Sequence, residues 1–310
     1  MPPKKARKKT RSSPVAGTAG LVTIGDWLRF AVTTLHRETT AFVQGLHDPQ
    51  EEATFLVSRH LGLAQEDLPH FLGARLTASE VASLRELIRQ RVEKHVPAAY
   101  LVKEAVLNDV AFHVDERVLI PRSYIAELLP EDILAFAGEA WMPQRILELG
   151  TGCGCLAVLA ARAFGTAIVD AADISNDALE VATINIHAHG LENRVHLIHS
   201  DLFDGVPPIP YDLIIANPPY EPSALVDEQP PEIAHEPRLA LDGGVDGMSL
   251  VRRIVQESRA HLARDGVLVL ELGGLRLELL DAFPKLRPHV FNLHDGSDAV
   301  LGFRAKDLPK

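Results

Sequence analysis

Cysteine is nearly missing from this chain: Cys153 and Cys155 are the only two among 310 residues. Two thiols separated by a single residue lack the further ligands of a zinc site, and a disulfide does not fit so tight a turn. No metal site is expected, and the pair reads as small buried thiols. Long apolar runs are missing too. No stretch approaches the about 18 residues of a membrane helix, and no charged leader runs into an apolar segment, so neither a membrane span nor a secretory signal is expected. The expected location is cytoplasmic. The histidines lack metal-ligand spacing such as HxxxH with a third partner, and read as structural or exposed. Acids are absent from residues 1–20, where Lys4, Lys5, Arg7, Lys8, Lys9 and Arg11 contribute +6; the overall charge of −11 therefore leaves −17 on the remainder. So acidic a body argues against gripping a duplex by its phosphates, which requires compensating Lys and Arg, and suits a basic protein target. The basic tail reads as disordered, either able to touch RNA weakly or a solvated leader.

At this length two folded units are expected. Between residues 23 and 60, Trp27, Phe30, Ala31, Thr34 and Leu35, then Ala53, Leu56, Val57 and His60, fall at helical spacing. A further helix is predicted over 79–95, where Val81, Leu84, Leu87, Ile88 and Val92 recur at intervals of three and four, with Thr77 and Glu80 placed for a capping box. Trp27 and Phe30 read as core. The predicted organisation is a disordered tail over 1–20, a helical domain over 21–103, a β-hairpin linker over 104–120 marked by the alternation Val110, Phe112, Val114, and an α/β domain over 121–310. In that last domain strands and helices alternate, the pattern of a parallel sheet covered on both faces. Strands are predicted at 145–149, 167–173, 195–200, 211–216, 267–272, 290–294 and 299–303. The last two, joined across 295–298, read as a hairpin that makes one strand antiparallel.

The apolar strand Arg145, Ile146, Leu147, Glu148, Leu149 runs into Gly150-Thr151-Gly152-Cys153-Gly154 and then a helical pattern. Glycines let backbone approach a ligand closely, and a helix start presents free N–H groups to its polar end. The spacing is GxGxG, not the GxGxxG of a pyrophosphate binder. The next strand ends in Asp173, placed for two ribose hydroxyls at about the expected 20-residue distance. The third ends in Asp201-Leu202-Phe203, where polar groups could edge an adenine ring and Leu202 cover it. The fourth ends in Asn217-Pro218-Pro219-Tyr220. A planar amide or amine nitrogen is a poor nucleophile because its lone pair is delocalised, so a catalyst must hold its N–H groups on acceptors and aim the lone pair at an electrophilic carbon. Asn217 offers a side-chain oxygen and Pro218 a carbonyl, stiffened by two prolines that lack donors; Tyr220 could stack on the planar target. Open sheets bind ligands beyond their strand carboxyl ends, where all four motifs fall. Their order points to S-adenosylmethionine and to methyl transfer onto nitrogen. Taken singly, each motif also describes an ordinary turn or helix cap.

The block from about Glu104 to Lys306 resembles the glutamine-amide methyltransferases that modify translation proteins, with likeness extending to about Ile24. Ile120-Pro121-Arg122-Ser123-Tyr124-Ile125-Ala126-Glu127-Leu128 and His235-Glu236-Pro237-Arg238-Leu239-Ala240-Leu241 resemble the PrmB branch over the related HemK/PrmC release-factor branch. The resemblance implies a Rossmann-like, seven-stranded class I methyltransferase sheet, a helical domain for substrate recognition, and a glutamine of the third large-subunit ribosomal protein as target, free or in an assembling subunit. It implies cofactor contacts from Glu148, Gly150, Thr151, Gly152, Cys153, Gly154, Asp173, Asp201, Leu202 and Asn217, with the Glu148 carboxylate facing the methionine ammonium directly or through water. Glu148 stands where Asp is common and Cys153 where Ser is common. Catalysis falls to Asn217, Pro218, Pro219 and Tyr220, and Arg122, His235, Glu236 and Pro237 are candidates for the substrate loop; Arg122 alternatively forms a surface ion pair. The rival readings are a release-factor glutamine methyltransferase, an adenine-amine methyltransferase sharing Asn-Pro-Pro-Tyr, and a non-catalytic ribosome assembly factor.

Overall fold

The computed structural model describes residues 13–15, 17–38, 41–42, 44–138 and 140–310. These divide into two compact units, Met1–Val102 and Lys103–Lys310.

The first unit is helical: Ile24–Arg37, Pro49–His60, Leu68–Phe71, Ala78–Lys94 and Ala98–Val102. The apolar positions at helical spacing supply its core, in which Trp27, Leu35, Leu56, Leu84 and Ile88 are almost wholly buried. Phe30 is only partly buried against that core and meets Trp27 edge-on at 5.7 Å. Thr77 and Glu80 form the expected capping box, and Thr23 and Asp26 form a second. The periodic stretch 23–60 is broken between Arg37 and Pro49, where Asp48 caps a new helix that has proline in its first turn. The six cations of the tail lie outside the described residues. Its far end departs from the disorder expected through residue 20. Val15 and Thr18 are buried, and Arg85 Nε donates to Thr18 Oγ1 at 2.8 Å, so an apolar contact and a satisfied hydroxyl hold this stretch on the helices.

The second unit opens with the hairpin β1 (Glu104–Leu107) and β2 (Val110–His113), turned by Asn108 and Asp109 at φ 51° and 59°. Both central residues are left-handed, as the twist of a two-residue hairpin turn requires. The main sheet comprises β3 (Arg145–Leu149), β4 (Ile168–Asp173), β5 (Val195–His199), β6 (Tyr211–Ala216), β7 (Leu262–Glu271), β8 (His289–Val290) and β9 (Val300–Arg304), in the order β5-β4-β3-β6-β7-β9-β8. Strands β3 to β7 are parallel and β9 runs antiparallel between β7 and β8, giving the Rossmann-like seven-stranded arrangement. The order reverses between β3, with β4 on one side, and β6 on the other. That switch point is where open α/β sheets leave a crevice.

Leu147, Leu149, Ile214, Leu268 and Leu270 pack with Val251, Ile254 and Val255 of the Ser249–His261 helix into the main core. Strand β8 is shorter than the predicted 290–294. The His294 amide donates to Glu127 Oε1 at 3.0 Å and Asp295 accepts from the Tyr124 hydroxyl at 2.7 Å, so polar groups of this stretch serve side chains instead of a ladder.

Candidate active site

The carboxyl ends of β3, β4, β5 and β6 converge on a cavity of about 260 Å³. Its β3 wall is the glycine loop, where Gly150, Gly152 and Gly154 take φ of 72°, 55° and 81°. These left-handed values suit glycine. They fold the loop back so that the amides of Gly150 and Thr151 share the Ala172 carbonyl, at 2.8 and 3.0 Å. Gly154 has a further reason to be glycine: a Cβ there would lie 3.1 Å from that of Ala182, on the helix Asn176–Ala188.

Asp173, the last residue of β4, accepts from the Gly152 amide at 2.8 Å and the Ser175 amide at 2.9 Å. A carboxylate has about four acceptor sites, so acceptor capacity is left over at the cavity that Asp173 lines. Burial raises its pKa, with the Ser175 and Gly152 amides pulling the other way. Glu148 lies beneath the loop, 1% exposed, and accepts from Thr151 Oγ1 at 2.5 Å. Burial pushes its carboxyl up to about 8, opposed by the Thr151 hydroxyl and reinforced by Asp173. Asp201 and Leu202 form the β5 wall. Arg253 Nη1 donates to Asp201 at 2.8 Å, and Leu202 is held at φ 50° while Ser200 Oγ donates to its carbonyl at 2.7 Å. A left-handed leucine costs about 1–2 kcal/mol, a strain of the kind that collects at ligand sites. Phe203 is buried elsewhere, stacked on His261 at 4.5 Å, and lines no part of the cavity.

On the β6 side, Asn217, Pro218 and Pro219 line the same cavity. A Cβ at Gly150 would lie 4.0 Å from the Asn217 carbonyl oxygen, so the two motifs face each other across the switch point. Among the described residues, neither the Asn217 side chain nor the Pro218 carbonyl accepts a hydrogen bond from the protein. Tyr220 lies behind them with its ring on Gly273, where a Cβ would come within 2.8 Å of Cε2. Burial, followed by the charge of Glu271, raises its pKa, so the phenol keeps its proton.

The predicted residues thus separate. Gly150, Gly152, Asp173, Asp201, Leu202, Asn217, Pro218, Pro219 and Pro237 line the cavity; Glu148, Thr151, Cys153, Gly154 and Tyr220 stand behind its walls. Arg122 and Glu236 meet each other, with Nη1 at 2.8 and 3.0 Å from the two carboxylate oxygens. The Glu236 carboxylate is fully buried, so this is not the surface ion pair weighed for Arg122. His235 ends the short turn Ile233–His235 and is absent from the lining. Sequence reasoning missed Arg117, Val118 and Leu119, which form another wall, and Leu239, Ala240, Leu250 and Arg253. It also missed the seat of the proline motif. A Cβ at Gly243 would meet the Pro219 oxygen at 2.8 Å, and one at Gly247 the Tyr220 oxygen at 2.2 Å. The cluster Gly243-Gly244-x-x-Gly247 was the available signal.

A glycine turn, a ribose-suited acid at a neighbouring strand end and a buried carboxyl under the loop fit an adenosine-bearing donor with a cationic amino-acid end. Comparison with known proteins agrees. Residues 131–235 match the Methyltransferase small domain family and residues 34–102 the PrmC N-terminal domain. The chain is 45% identical over 281 residues to the ribosomal protein uL3 glutamine methyltransferase of Bordetella pertussis, spanning 91% of this chain and 94% of that protein. It is 44% identical over 317 residues to the protein of the same name from Bradyrhizobium diazoefficiens, spanning 98% and 99%. The Burkholderia pseudomallei counterpart is 42% identical over 294 residues, spanning 93% and 96%. The protein is an S-adenosylmethionine-dependent methyltransferase, and it belongs to the ribosomal protein uL3 glutamine methyltransferase family.

Proposed function

We propose that this protein transfers a methyl group from S-adenosylmethionine to the side-chain amide nitrogen of a glutamine in ribosomal protein uL3. The observation that carries the proposal is a pair of acceptors, Asn217 Oδ1 and the Pro218 carbonyl, uncommitted among the described residues and opposite the glycine loop at one cavity. S-adenosylmethionine supplies an electrophilic methyl carbon on a sulfonium. Gly150, Gly152, Asp173, Asp201 and Leu202 hold it in this reading, with the Glu148 carboxyl and the Thr151 hydroxyl bonded to it beneath the loop. Asn217 and Pro218 accept the two N–H bonds of the carboxamide and turn its lone pair toward the methyl carbon. As nitrogen bonds to the methyl carbon the C–S bond breaks, its electron pair leaving on sulfur as a neutral thioether; the positive charge growing on nitrogen is stabilised by two oriented oxygens more than the ground state is, and the surplus N–H proton passes to water with no dedicated general base. Tyr220 packs behind the planar group.

The segment after Asn-Pro-Pro-Tyr carries Glu221, Asp227, Glu228, Glu232, Glu236, Asp242 and Asp246 against Arg238 alone among Lys and Arg, a charge suited to a basic substrate protein. We assign substrate recognition to the helical unit, and to the tail a weak contact with RNA. The PrmC N-terminal match is equally compatible with a release-factor substrate, whereas the likeness over more than nine-tenths of the chain favours uL3. Incubating the protein with methyl-labelled S-adenosylmethionine and purified uL3, release factor, DNA or RNA tests the reading: label enters a uL3 glutamine. Deleting residues 1–12, which spares the packed Val15 and Thr18, leaves methylation intact for an enzyme; a non-catalytic assembly factor instead loses ribosome association.

A further inference from the structure

Three successive side chains of one turn are each tied to an acid from a different part of the sheet unit. Arg122 holds Glu236, Ser123 Oγ donates to Glu271 Oε2 at 2.6 Å, and the Tyr124 hydroxyl donates to Asp295 at 2.7 Å. Of the three acids only Glu271 belongs to the sheet. It ends β7 one position beyond the Ala216–Leu270 pair, which brings it alongside Asn217. It is 2% exposed and takes a second, longer bond from the Ile125 amide at 3.4 Å. Two residues further on, Gly273 seats the Tyr220 ring. One strand end therefore supports the tyrosine of the proline motif with its glycine and the 122–125 turn with its carboxylate.

We propose that Glu271 is a positioning residue for methyl transfer: by holding Ser123 and the Ile125 amide it fixes the 122–125 turn against Tyr220 and shapes the side of the pocket that receives the glutamine carboxamide. This rests on the glutamine-methylation reading and adds to it a residue that touches neither the cavity wall nor the reacting atoms. Ionised, Glu271 makes charge-assisted bonds, roughly twice as strong as neutral ones. The charged and ionisable side chains facing it are Arg122 and Tyr124 from the turn and Tyr220 from the proline motif. Burial pushes the Glu271 carboxyl up to about 7, opposed by the Ser123 hydroxyl, the Ile125 and Tyr124 amides and the Arg122 charge. Acidification through neutrality therefore adds a proton, weakens both bonds and loosens the turn, lowering turnover without touching the cofactor walls.

The test is steady-state methylation of uL3 by the full chain across acid to alkaline pH, separating kcat from the KM for S-adenosylmethionine. Glu271→Gln keeps an acceptor but not the charge. It is expected to lower kcat roughly tenfold, the scale of one charge-assisted bond, with cofactor KM unchanged and the acid limb near pH 7 gone. Ser123→Ala should lower kcat by a smaller factor and keep that limb. Wild-type kcat and pH profile in both variants, or a loss confined to cofactor KM, overturns the inference. If Glu271→Gln fails to fold by circular dichroism, Ser123→Ala decides alone: wild-type kcat overturns, a reduced kcat at unchanged cofactor KM supports. A wild-type protein that leaves uL3 unmethylated overturns the underlying functional reading, and this inference with it.

Discussion

The two sides of the cavity are built differently. The cofactor side is the more local: its loop, acid and apolar cover each follow directly from a strand, and, the Arg253–Asp201 bond apart, the hydrogen bonds that shape them join neighbouring strand ends, as Asp173 does with the amides of Gly152 and Ser175. The target side is assembled from afar. Asn-Pro-Pro-Tyr is pressed into place by Gly243, Gly247 and Gly273, and the neighbouring turn is tied to Glu236, Glu271 and Asp295. In the proposed mechanism the donor is met mainly by successive strand ends, whereas aiming one particular nitrogen takes a frame drawn from the whole unit. Substitutions on the first side should act on cofactor affinity, and those on the second on turnover.

The largest separation is expected from Asn217→Ala. Loss of one preorganised acceptor costs about 2.7–4 kcal/mol of barrier, or about 10² to 10³ in kcat. Calorimetric titration should find S-adenosylmethionine bound nearly as before. An unaltered single-turnover rate would contradict the assignment. Asp173→Ala is the reciprocal case: about 1.5–3 kcal/mol of cofactor affinity goes with a charged hydrogen-bonding group, while kcat at saturation changes little. Unchanged cofactor affinity would remove Asp173 from the ribose role. Gly247→Ala sharpens the contrast from behind, because its Cβ would meet the Tyr220 oxygen at 2.2 Å in a left-handed backbone. Lower kcat at unchanged cofactor affinity is expected; equal damage to both would mean that the glycine serves the fold as a whole.

That division also sets what could be read in the sequence. Strand β6 begins and ends at the residues its apolar run suggests, Tyr211 and Ala216, because a strand buried on both faces is a continuous apolar signal. The glycine loop and Asp173 were legible for the same reason of locality. Strand β8 was not, since the amide of His294 and the carboxylate of Asp295 bond to Glu127 and Tyr124, more than 160 residues away in sequence. Phe203 carried an aromatic signal beside a site motif, yet it stacks on His261 in the core, where a large ring gains more from burial. Glu271 gave no signal at all. A lone acid at the end of an apolar run says nothing until Ser123 is seen to meet it.

Two smaller effects probe the cofactor side further. Glu148 has an ordinary value of 4.5 and a folded one of about 8, so folding takes up a proton between those pH values. Its contribution to stability is complete below the first and lost as pH rises through the second. Glu148→Gln should flatten that decline in chemical-denaturation midpoints measured from acid to alkaline pH and should weaken cofactor binding; an unchanged decline would mean that other groups cause it. The smallest effect is expected from Leu202→Gly, which relieves the left-handed backbone but removes an apolar wall. Stability should change by less than about 1 kcal/mol while cofactor affinity falls a few-fold; a tighter complex would show that Leu202 does not cover the ligand.

In the proposed mechanism two acceptors on a stiff proline loop, uncommitted among the described residues, aim a glutamine amide at a methyl donor held by the facing glycine turn. Tandem mass spectrometry of uL3 incubated with S-adenosylmethionine and either the wild-type protein or Asn217→Ala tests it most directly. One added methyl group on a glutamine side-chain nitrogen is expected with wild-type protein and almost none with the variant. Unmodified uL3, a methyl group on another residue, or equal labelling by both proteins would contradict it.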